Sequence, residues 1–299
     1  MNLHTPAAPA TIDIAQSIAN SPGYWTTVLA RLSRDKVTLL FGLILVSIVL
    51  LAIFAPLIAP MDPYKANIVR RLKDIGYPGH PLGTDQTGRD MLSRLIYGGR
   101  LSLFMGVVPV INALMIGGLL GVLAGYAGGA VNMVIMRTMD IFYAFPSVLL
   151  AIAISGALGA GIGNAILSLS IVFIPPIARV AETVTTQVRT LDYVEAARAS
   201  GASSLRIIRV HVLSNVLGAI FVYATGLISV SIILASGLSF LGLGTKPPEP
   251  EWGLMLNELR QAIYVNPYVA ALPGAMIFLT SLSFNLISDG LRSAMDLKS

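Results

Sequence analysis

The chain has 299 residues, of which 55% are hydrophobic and only 12% are charged. A soluble domain carries about twice that charged fraction, and several long windows here are almost free of charge, so the composition predicts lipid-facing helices rather than a soluble core. The net charge of +5 indicates no nucleic-acid partner, and the absence of cysteine excludes thiolate chemistry, disulfides and cysteine-ligated metals.

Six apolar windows, each near the roughly 20 residues that cross a hydrocarbon core, predict six transmembrane helices. They are Val37–Ala59, Leu101–Tyr126, Ile141–Leu158, Ile162–Ala178, Leu217–Phe240 and Tyr268–Ile287. The first 36 residues contain no hydrophobic core of a cleavable signal peptide, so we expect the first window to remain as an anchor. Only residues 159–161 separate the third window from the fourth, which requires a tight helical hairpin.

The segments between the windows are polar. Residues 60–100 and 241–267 predict loops, residues 127–140 a short glycine-rich turn, and residues 179–216 a long stretch with helical character. With the N-terminus inside, eleven basic residues fall on the cytoplasmic side and nine on the outer side. The positive-inside rule therefore leaves the orientation open.

None of the six windows contains Asp, Glu, Lys, Arg or His. Carriers driven by ions or protons usually keep such groups in the membrane as relays, so their absence argues against self-energised transport. Gly117, Gly121 and Gly125 have the small-xxx-small spacing that permits close helix packing. The remaining polar residues can make interhelical hydrogen bonds or line a pathway; they are Asn112, Asn164, Ser168, Ser170 and Asn285.

The most specific pattern lies in the long polar stretch. Asp192 as an N-cap and the following alanines predict a short helix, Gly201 stands where that helix would end, and a second amphipathic helix follows from about Ser203. From the residues alone, this element can dock into a groove on another protein, rest on lipid headgroups or simply link two spans.

The segment resembles the EAA loop of ABC-importer permeases, whose pattern is Glu-Ala-Ala, three residues, Gly and an apolar stretch ending in Leu-Pro. Glu195, Ala196, Ala197 and Gly201 match that pattern with the same spacing. Ser214 stands where the family usually has proline, so the chain departs from the pattern at that turn.

The resemblance extends over nearly the whole chain and is closest to the second, C-type permease of dipeptide and oligopeptide importers. The matching blocks are residues 82–103, Met136 and Arg137 with Asp140 and Pro146, residues 238–244, Pro247 and Pro248 through residues 251–253, and residues 289–292. A single Glu-Ala-Ala would be a weak signal, whereas these blocks in the family's order are specific.

The resemblance implies an all-α polytopic membrane protein with six transmembrane helices and the type I ABC-importer permease fold. The EAA segment would be a cytoplasmic coupling helix in a cleft of an ATP-binding subunit, which places residues 179–216 inside and residues 60–100 and 241–267 outside. The implied division is a cytoplasmic segment 1–36, a first transmembrane helix 37–59, an external loop 60–100 and a core permease domain 101–299. Both termini would be cytoplasmic, in a multi-pass protein of the bacterial inner membrane.

The implied function is translocation of dipeptides and oligopeptides by a non-catalytic subunit, with nickel or another small solute as the alternative cargo. The implied partners are a second homologous permease subunit, two ATP-binding subunits, an extracytoplasmic substrate-binding protein and the lipid bilayer. The chain has no P-loop pattern, so ATP hydrolysis must occur on another chain. We expect no cofactor and, because the three histidines are dispersed, no metal site. A secondary carrier would need charged groups within the spans, and a membrane scaffold would leave the EAA segment unexplained.

Two sets of candidate site residues follow from the resemblance. Glu195, Ala196, Ala197 and Gly201 are expected to couple the chain to the ATPase subunit. Glu195 would either contact that subunit or brace its own helix by pairing with Arg198 or Arg189.

On the outer side, Asp85, Arg89 and Trp252 are candidate contacts with the binding protein. The structural alternative is that Arg89 pairs with Asp90 at a helix entry, while Asp85 or Thr87 caps the helix that follows.

Overall fold

The computed structural model describes residues 24–295, so residues 1–23 of the predicted N-terminal segment and residues 296–299 lie outside the described part. Within that part the chain is helical, with two isolated bridges and no strand. The helices are α1 (Tyr24–Leu32), α2 (Lys36–Ile53), α3 (Ala55–Ile58), α4 (Met91–Ala127), α5 (Gly129–Tyr143), α6 (Ser147–Leu158), α7 (Ile162–Arg189), α8 (Asp192–Ala199), α9 (Ser204–Ile207), α10 (Leu213–Phe240), α11 (Trp252–Leu259) and α12 (Pro267–Met295). Ile68–Arg70 and Ala262–Tyr264 are 3₁₀ turns, and Ile208–Val212 is π-helical.

Five helical segments of the described part are long and apolar enough to cross a membrane: α2, α4, α7, the segment from α9 through α10, and α12. α5 and α6 pass this test only as a pair and meet at 86°. The predicted third span, Ile141–Leu158, is therefore broken near its start, because Pro146 lacks an N–H and disfavours helical backbone at Phe145. The glycine-rich turn predicted at residues 127–140 is wrong, since α5 occupies most of it.

α4 begins inside the segment predicted as an outer loop. The carboxylate of Asp90 caps it by accepting a hydrogen bond from the backbone N–H of Ser93 at 2.8 Å. Neither Asp85 nor Thr87 is the cap, so that prediction is wrong. A Cβ on Gly99 would lie 3.1 Å from the methyl group of Ala52, near the end of α2. The first two turns of α4 therefore rise about 12 Å above the end of the first span.

The glycine stripe of α4 packs directly against α7. Added Cβ atoms at Gly117 and Gly125 would lie 2.6 and 2.7 Å from the carbonyl oxygens of Ile174 and Glu182, and Gly121 lies equally tightly against α7. Only glycine permits this backbone approach, which confirms the predicted small-residue packing. One predicted interhelical hydrogen bond also forms in this interface, from Asn112 to Ser170 at 3.2 Å.

The beginning of the first span lies beside the end of the last span. Gly290 of α12 packs against Thr38 of α2, and the methyl end of Met295 approaches Gly218 near the start of α10. The beginning of α2, the end of α12 and the beginning of α10 therefore lie at one end of the bundle.

Candidate coupling and docking sites

The segment predicted to carry energy into the bundle forms the expected helix–glycine–helix element. α8 begins after Leu191, whose extended backbone occupies the N-cap position without a side-chain cap. Asp192 lies in the first turn rather than at the cap, so its predicted role is wrong. Asp192 and Glu195 in the first turn and Arg198 in the last complement the helix dipole.

Gly201 ends α8 in the left-handed conformation, with φ of 80°. The N–H of Gly201 donates to the carbonyl of Arg198 at 3.0 Å, and that of Ala202 donates to the carbonyl of Ala197 at 3.1 Å. These two bonds form a Schellman motif, which confirms the helix end predicted at this glycine. The chain then passes through α9 and the π-helical turn into α10. At Ser214 it continues as helix, with the hydroxyl donating to the carbonyl of Val210 at 2.9 Å.

One face of α8 is fixed to the core, and the opposite face is exposed. Val194 is fully buried in the same cluster as Ile207 and Val212, which lie on the two segments that follow. Glu195 and Ala196 are exposed, whereas Ala197 is half-buried. Large apolar side chains are also exposed around this element: Leu191, Tyr193, Leu205 and Val210. The element is thus a rigidly attached surface with apolar groups left uncovered.

The carboxylate of Glu195 makes no ion pair with another residue in the described part of the chain. Of the two arginines considered as bracing partners, Arg189 instead donates to the carbonyl of Tyr126 at 3.1 Å. Glu195 is therefore exposed and has no ion-pair partner among residues 24–295.

At the end of the bundle opposite the coupling element, residues 60–90 and 241–266 form a compact unit, which we call the outer cap after the side predicted for it from the sequence. A buried charge cluster holds it on α4. Asp85 accepts from Nε of Arg89 at 2.6 Å, and Glu258 accepts from Nη2 of both Arg89 and Arg94 at 2.8 Å each. These side chains are at most 11% exposed. The predicted pair of Arg89 with Asp90 is wrong, since Asp90 lies 3.0 Å from Nδ1 of His80 instead.

Trp252 anchors α11 against α4 and is fully buried. Its indole N–H donates to the carbonyl of Leu95 at 2.9 Å. The neighbouring Glu251 caps α11 by accepting from the N–H groups of Gly253 and Leu254 at 2.9 Å each. Burial raises the pKa of Glu251 above its ordinary value, against the opposing effect of these hydrogen bonds.

All three predicted outer contact residues, Asp85, Arg89 and Trp252, are thus buried inside the outer cap. One exposed part of the cap is a short turn at residues 67–71, which we call the outer knob. Ile68 and Val69 at its tip are 73% and 87% exposed.

Backbone hydrogen bonds clamp the outer knob onto the segment that contains Asp85 and Arg89. The N–H of Asn67 donates to the carbonyl of Thr87, and that of Leu72 to the carbonyl of Asp85, both at 3.0 Å. The carbonyl of Asn67 lies so close to Gly88 that a Cβ there would clash with it. The buried charges therefore support the exposed knob from beneath.

Sequence reasoning missed Arg94, Glu251 and Glu258, which complete the buried clusters of the outer cap. The pairs of Glu258 with Arg89 and Arg94 join residues 169 and 164 positions apart, so no local pattern could have revealed them. Asp90 with Ser93 three residues later is an N-cap pattern that the sequence did contain.

A bundle of long apolar helices, a core-anchored helix–glycine–helix element at one end, and a polar cap at the other define a polytopic membrane permease. Residues 117–298 match the family model described as "Binding-protein-dependent transport system inner membrane component". Residues 23–74 match "N-terminal TM domain of oligopeptide transport permease C". The chain belongs to this family of ABC-importer permeases and is a non-catalytic membrane subunit.

Curated relatives and solved structures agree with this assignment. The glutathione transport system permease protein GsiD of Pectobacterium atrosepticum is 41% identical over 274 residues, covering 92% of this chain and 91% of that protein. The dipeptide transport system permease protein DppC of Alkalihalophilus pseudofirmus is 41% identical over 283 residues, covering 95% and 92%. An inward-facing structure of the MetNI methionine ABC transporter matches with a TM-score of 0.57 at 21% identity, covering 68% of this chain and 97% of that one, which shows the shared fold.

Proposed function

We propose that this subunit imports dipeptides and oligopeptides, glutathione included, with energy from separate ATPase subunits. Similarity over more than nine-tenths of the chain to permeases named for dipeptide and glutathione transport supports this cargo. Nickel or another small solute is the alternative. The proposal that separate ATPase subunits supply the energy is supported by the core-anchored helix–glycine–helix element, which exposes Glu195 at its surface.

The proposed assembly contains a second homologous permease, two ATP-binding subunits and an extracytoplasmic binding protein. The pathway would lie between the two permeases, because one set of six spans is unable to enclose it alone. Glu195, Ala196, Ala197 and Gly201 would form the contact with one ATPase subunit. The uncovered apolar side chains around α8 support this, since such groups are characteristic of docking surfaces.

We propose that the coupling element and both chain termini face the cytoplasm, and that the outer cap faces the opposite side. The inner ends of α2 and α12 lie beside each other and close to the start of α10, which supports placing both termini on the side of the coupling element. The proposed division is a cytoplasmic segment 1–36, a first span 37–59, an external loop 60–100 and a core domain 101–299 containing the cytoplasmic loop 179–216. The outer end of α4 belongs structurally to that external segment.

For the binding protein, we propose contact through the outer knob rather than through direct exposure of Asp85, Arg89 and Trp252. Those three residues would act from beneath, by fixing the position of the knob. The exposed apolar tip of the knob is followed by the exposed Arg70 and Arg71. A soluble partner with an acidic rim around an apolar depression fits this surface.

Docking can be tested by measuring the affinity of the cognate binding protein for the solubilised complex carrying Arg70→Glu with Arg71→Glu. We expect affinity to fall about ten-fold or more and its salt dependence to weaken. Lys246→Glu, an equally exposed charge change elsewhere in the outer cap, is the control. Equal affinity of the double variant and the wild type would refute docking at the knob.

The proposed function is tested by ATP-dependent uptake in proteoliposomes containing the complete cognate transporter and binding protein. Labelled dipeptide, glutathione and Ni²⁺ are offered separately. We expect peptide uptake that requires ATP and disappears in Glu195→Lys, with the variant chain still inserted in the membrane. Uptake of Ni²⁺ but no peptide would overturn the cargo, and unchanged uptake by Glu195→Lys would overturn the coupling role.

A further inference from the structure

Two cavities of the bundle adjoin each other, and we call the two together the inner groove. The first, of about 490 Å³, lies between the α5–α6 break, the two prolines of α7 and the middle of α10. The second, of about 320 Å³, lies between α10 and the inner part of α12. Tyr223 and Leu227 line both cavities, so the two adjoin at α10 and together extend from the break to α12.

Charged side chains mark one side of this groove. Asp140 at the end of α5 pairs with Arg179 of α7, and the two side chains are 40% and 50% exposed. The guanidinium carbon of Arg179 lies 5.1 Å from the ring centre of Tyr143, a lining residue of the first cavity. The pair therefore sits at the rim of the groove.

Polar side chains of α12 line the other side. Asn285, Asp289 and Arg292 share one exposed face, because they follow each other at intervals of four and three residues. Neither Asp289 nor Arg292 forms an ion pair with any other described residue. Ser288 forms the floor between the helices by donating to the carbonyl of Val222 at 3.0 Å.

Lipid is a poor occupant for this groove. Arg179 and Asp289 lie about 25 and 33 Å along their helices from the outer ends, so both charged sets are toward the inner half. Exposed charges on spanning helices face water, a partner or a pathway rather than hydrocarbon. The combined space is in the range of sites that hold a small organic molecule, and the aromatic and proline side chains between the two charged sets offer weak, non-directional contact.

We propose that the inner groove is this chain's wall of the translocation pathway, and that it accommodates a solute bearing both a cationic and an anionic group. Such a solute can approach Asp289 and Arg292 with its ammonium and carboxylate ends while its side chains pass over the aromatic strip. This inference rests on the proposed function. It adds the residues that line the pathway and the solute chemistry, which the proposed function does not specify.

Water access to the groove can be measured because the chain itself contains no cysteine. Asn285→Cys is compared with Leu43→Cys in inside-out vesicles that contain the full transporter, using a membrane-impermeant methanethiosulfonate reagent. Gly290 of α12 and Thr38 of α2 are in contact. Asn285 and Leu43 each lie five residues outward from this contact along their own helices, so the two test positions lie at matching depths. Leu43 is 66% exposed on α2 but lines neither cavity.

We expect the cysteine at position 285 to react about ten-fold faster or more than that at position 43, because the reactive thiolate requires water. Equal rates would overturn the inference. Labelling does not depend on which solute is carried. An absence of peptide uptake by the wild type would therefore refute the cargo, while the relative labelling rates still decide whether the groove is aqueous.

Solute chemistry is tested with Arg292→Gln, at saturating binding protein loaded with a dipeptide or with its C-terminal amide. We expect the maximal uptake rate of the dipeptide to fall about five-fold and that of the amide to change little, since only the dipeptide offers a carboxylate. Arg34→Gln, an exposed charge removal outside the groove, is the control. Equal effects on both solutes, or no effect on either, would overturn the assignment of Arg292.

Discussion

Replacing Gly201 by valine should uncouple the transporter without removing a single side-chain contact. The backbone at Gly201 has φ of 80°, and an added Cβ would meet nothing within 4 Å. The whole cost is therefore conformational, about 1–2 kcal/mol for an L-residue in the left-handed region and toward the upper end for a β-branched one. That energy lowers the ratio of the Schellman-capped form to the uncapped form by a factor of about 5–30.

The assay is ATP-dependent uptake in proteoliposomes, normalised to the amount of assembled transporter. We expect uptake by Gly201→Val to fall measurably and by at most that factor of about 5–30, because turnover requires the capped form. Gly201→Asn should retain most of the activity, since asparagine tolerates the left-handed conformation.

The chain offers a closely matched control at the outer end of α10. Gly242 has φ of 79°, open space around an added Cβ, and the same motif, with its N–H bonded to the carbonyl of Ser239 and that of Leu243 to the carbonyl of Leu238. Gly242→Val carries the same strain at the opposite end of that span. Normal uptake by Gly201→Val, or an equal loss in Gly242→Val, would refute the reasoning.

Gly121→Val should prevent stable packing of α4 on α7 and lower the yield of assembled permease. Gly118→Val is the control, because a Cβ at position 118 meets open space, and its yield should stay near normal. Size-exclusion chromatography measures both yields. Glu258→Gln should destabilise the outer cap by about 3–5 kcal/mol, because it removes one of the two carboxylates that neutralise the buried Arg89 and Arg94 and leaves one positive charge uncompensated. Proteolytic cleavage of the cap reports this loss. Glu249→Gln, which alters one hydrogen bond from Tyr64, is the control, and equal cleavage of both variants would contradict this expectation. The raised pKa of Glu251 means that its contribution to stability is present below the ordinary glutamate pKa and is lost as pH rises through the raised value. The melting temperature of the wild type should therefore fall over that pH range more steeply than that of Glu251→Gln, and parallel curves would contradict it.

Much of the fold could be predicted from the sequence because apolar windows and small-residue spacing act locally. The glycine stripe and the helix end at Gly201 were both predictable, since one requires only spacing and the other only the conformational freedom of glycine. The α5–α6 bend was missed because hydropathy continues across Pro146 without interruption. Apolarity alone does not distinguish a straight span from two helices at 86°.

The same difference between local and tertiary signals explains which candidate site residues could be predicted. The exposure of Glu195 follows from its place on a short amphipathic helix. The burial of Asp85 and Arg89 does not, because their environment is created by Glu258, far along the chain. Charged residues in a polar loop suggest solvent contact, and only the tertiary fold shows that these particular charges neutralise each other.

The charge cluster of the outer cap also has a consequence for synthesis. Arg94 enters the chain 164 residues before Glu258, its carboxylate partner at 2.8 Å. Until residue 258 has emerged, Asp85 is the one carboxylate that this cluster offers to Arg89 and Arg94, so burying both guanidinium groups would leave positive charge uncompensated. The outer end of the bundle is therefore completed late, after the coupling element and most of the spans exist, and a chain that stops short of residue 258 leaves the platform beneath the outer knob unfinished.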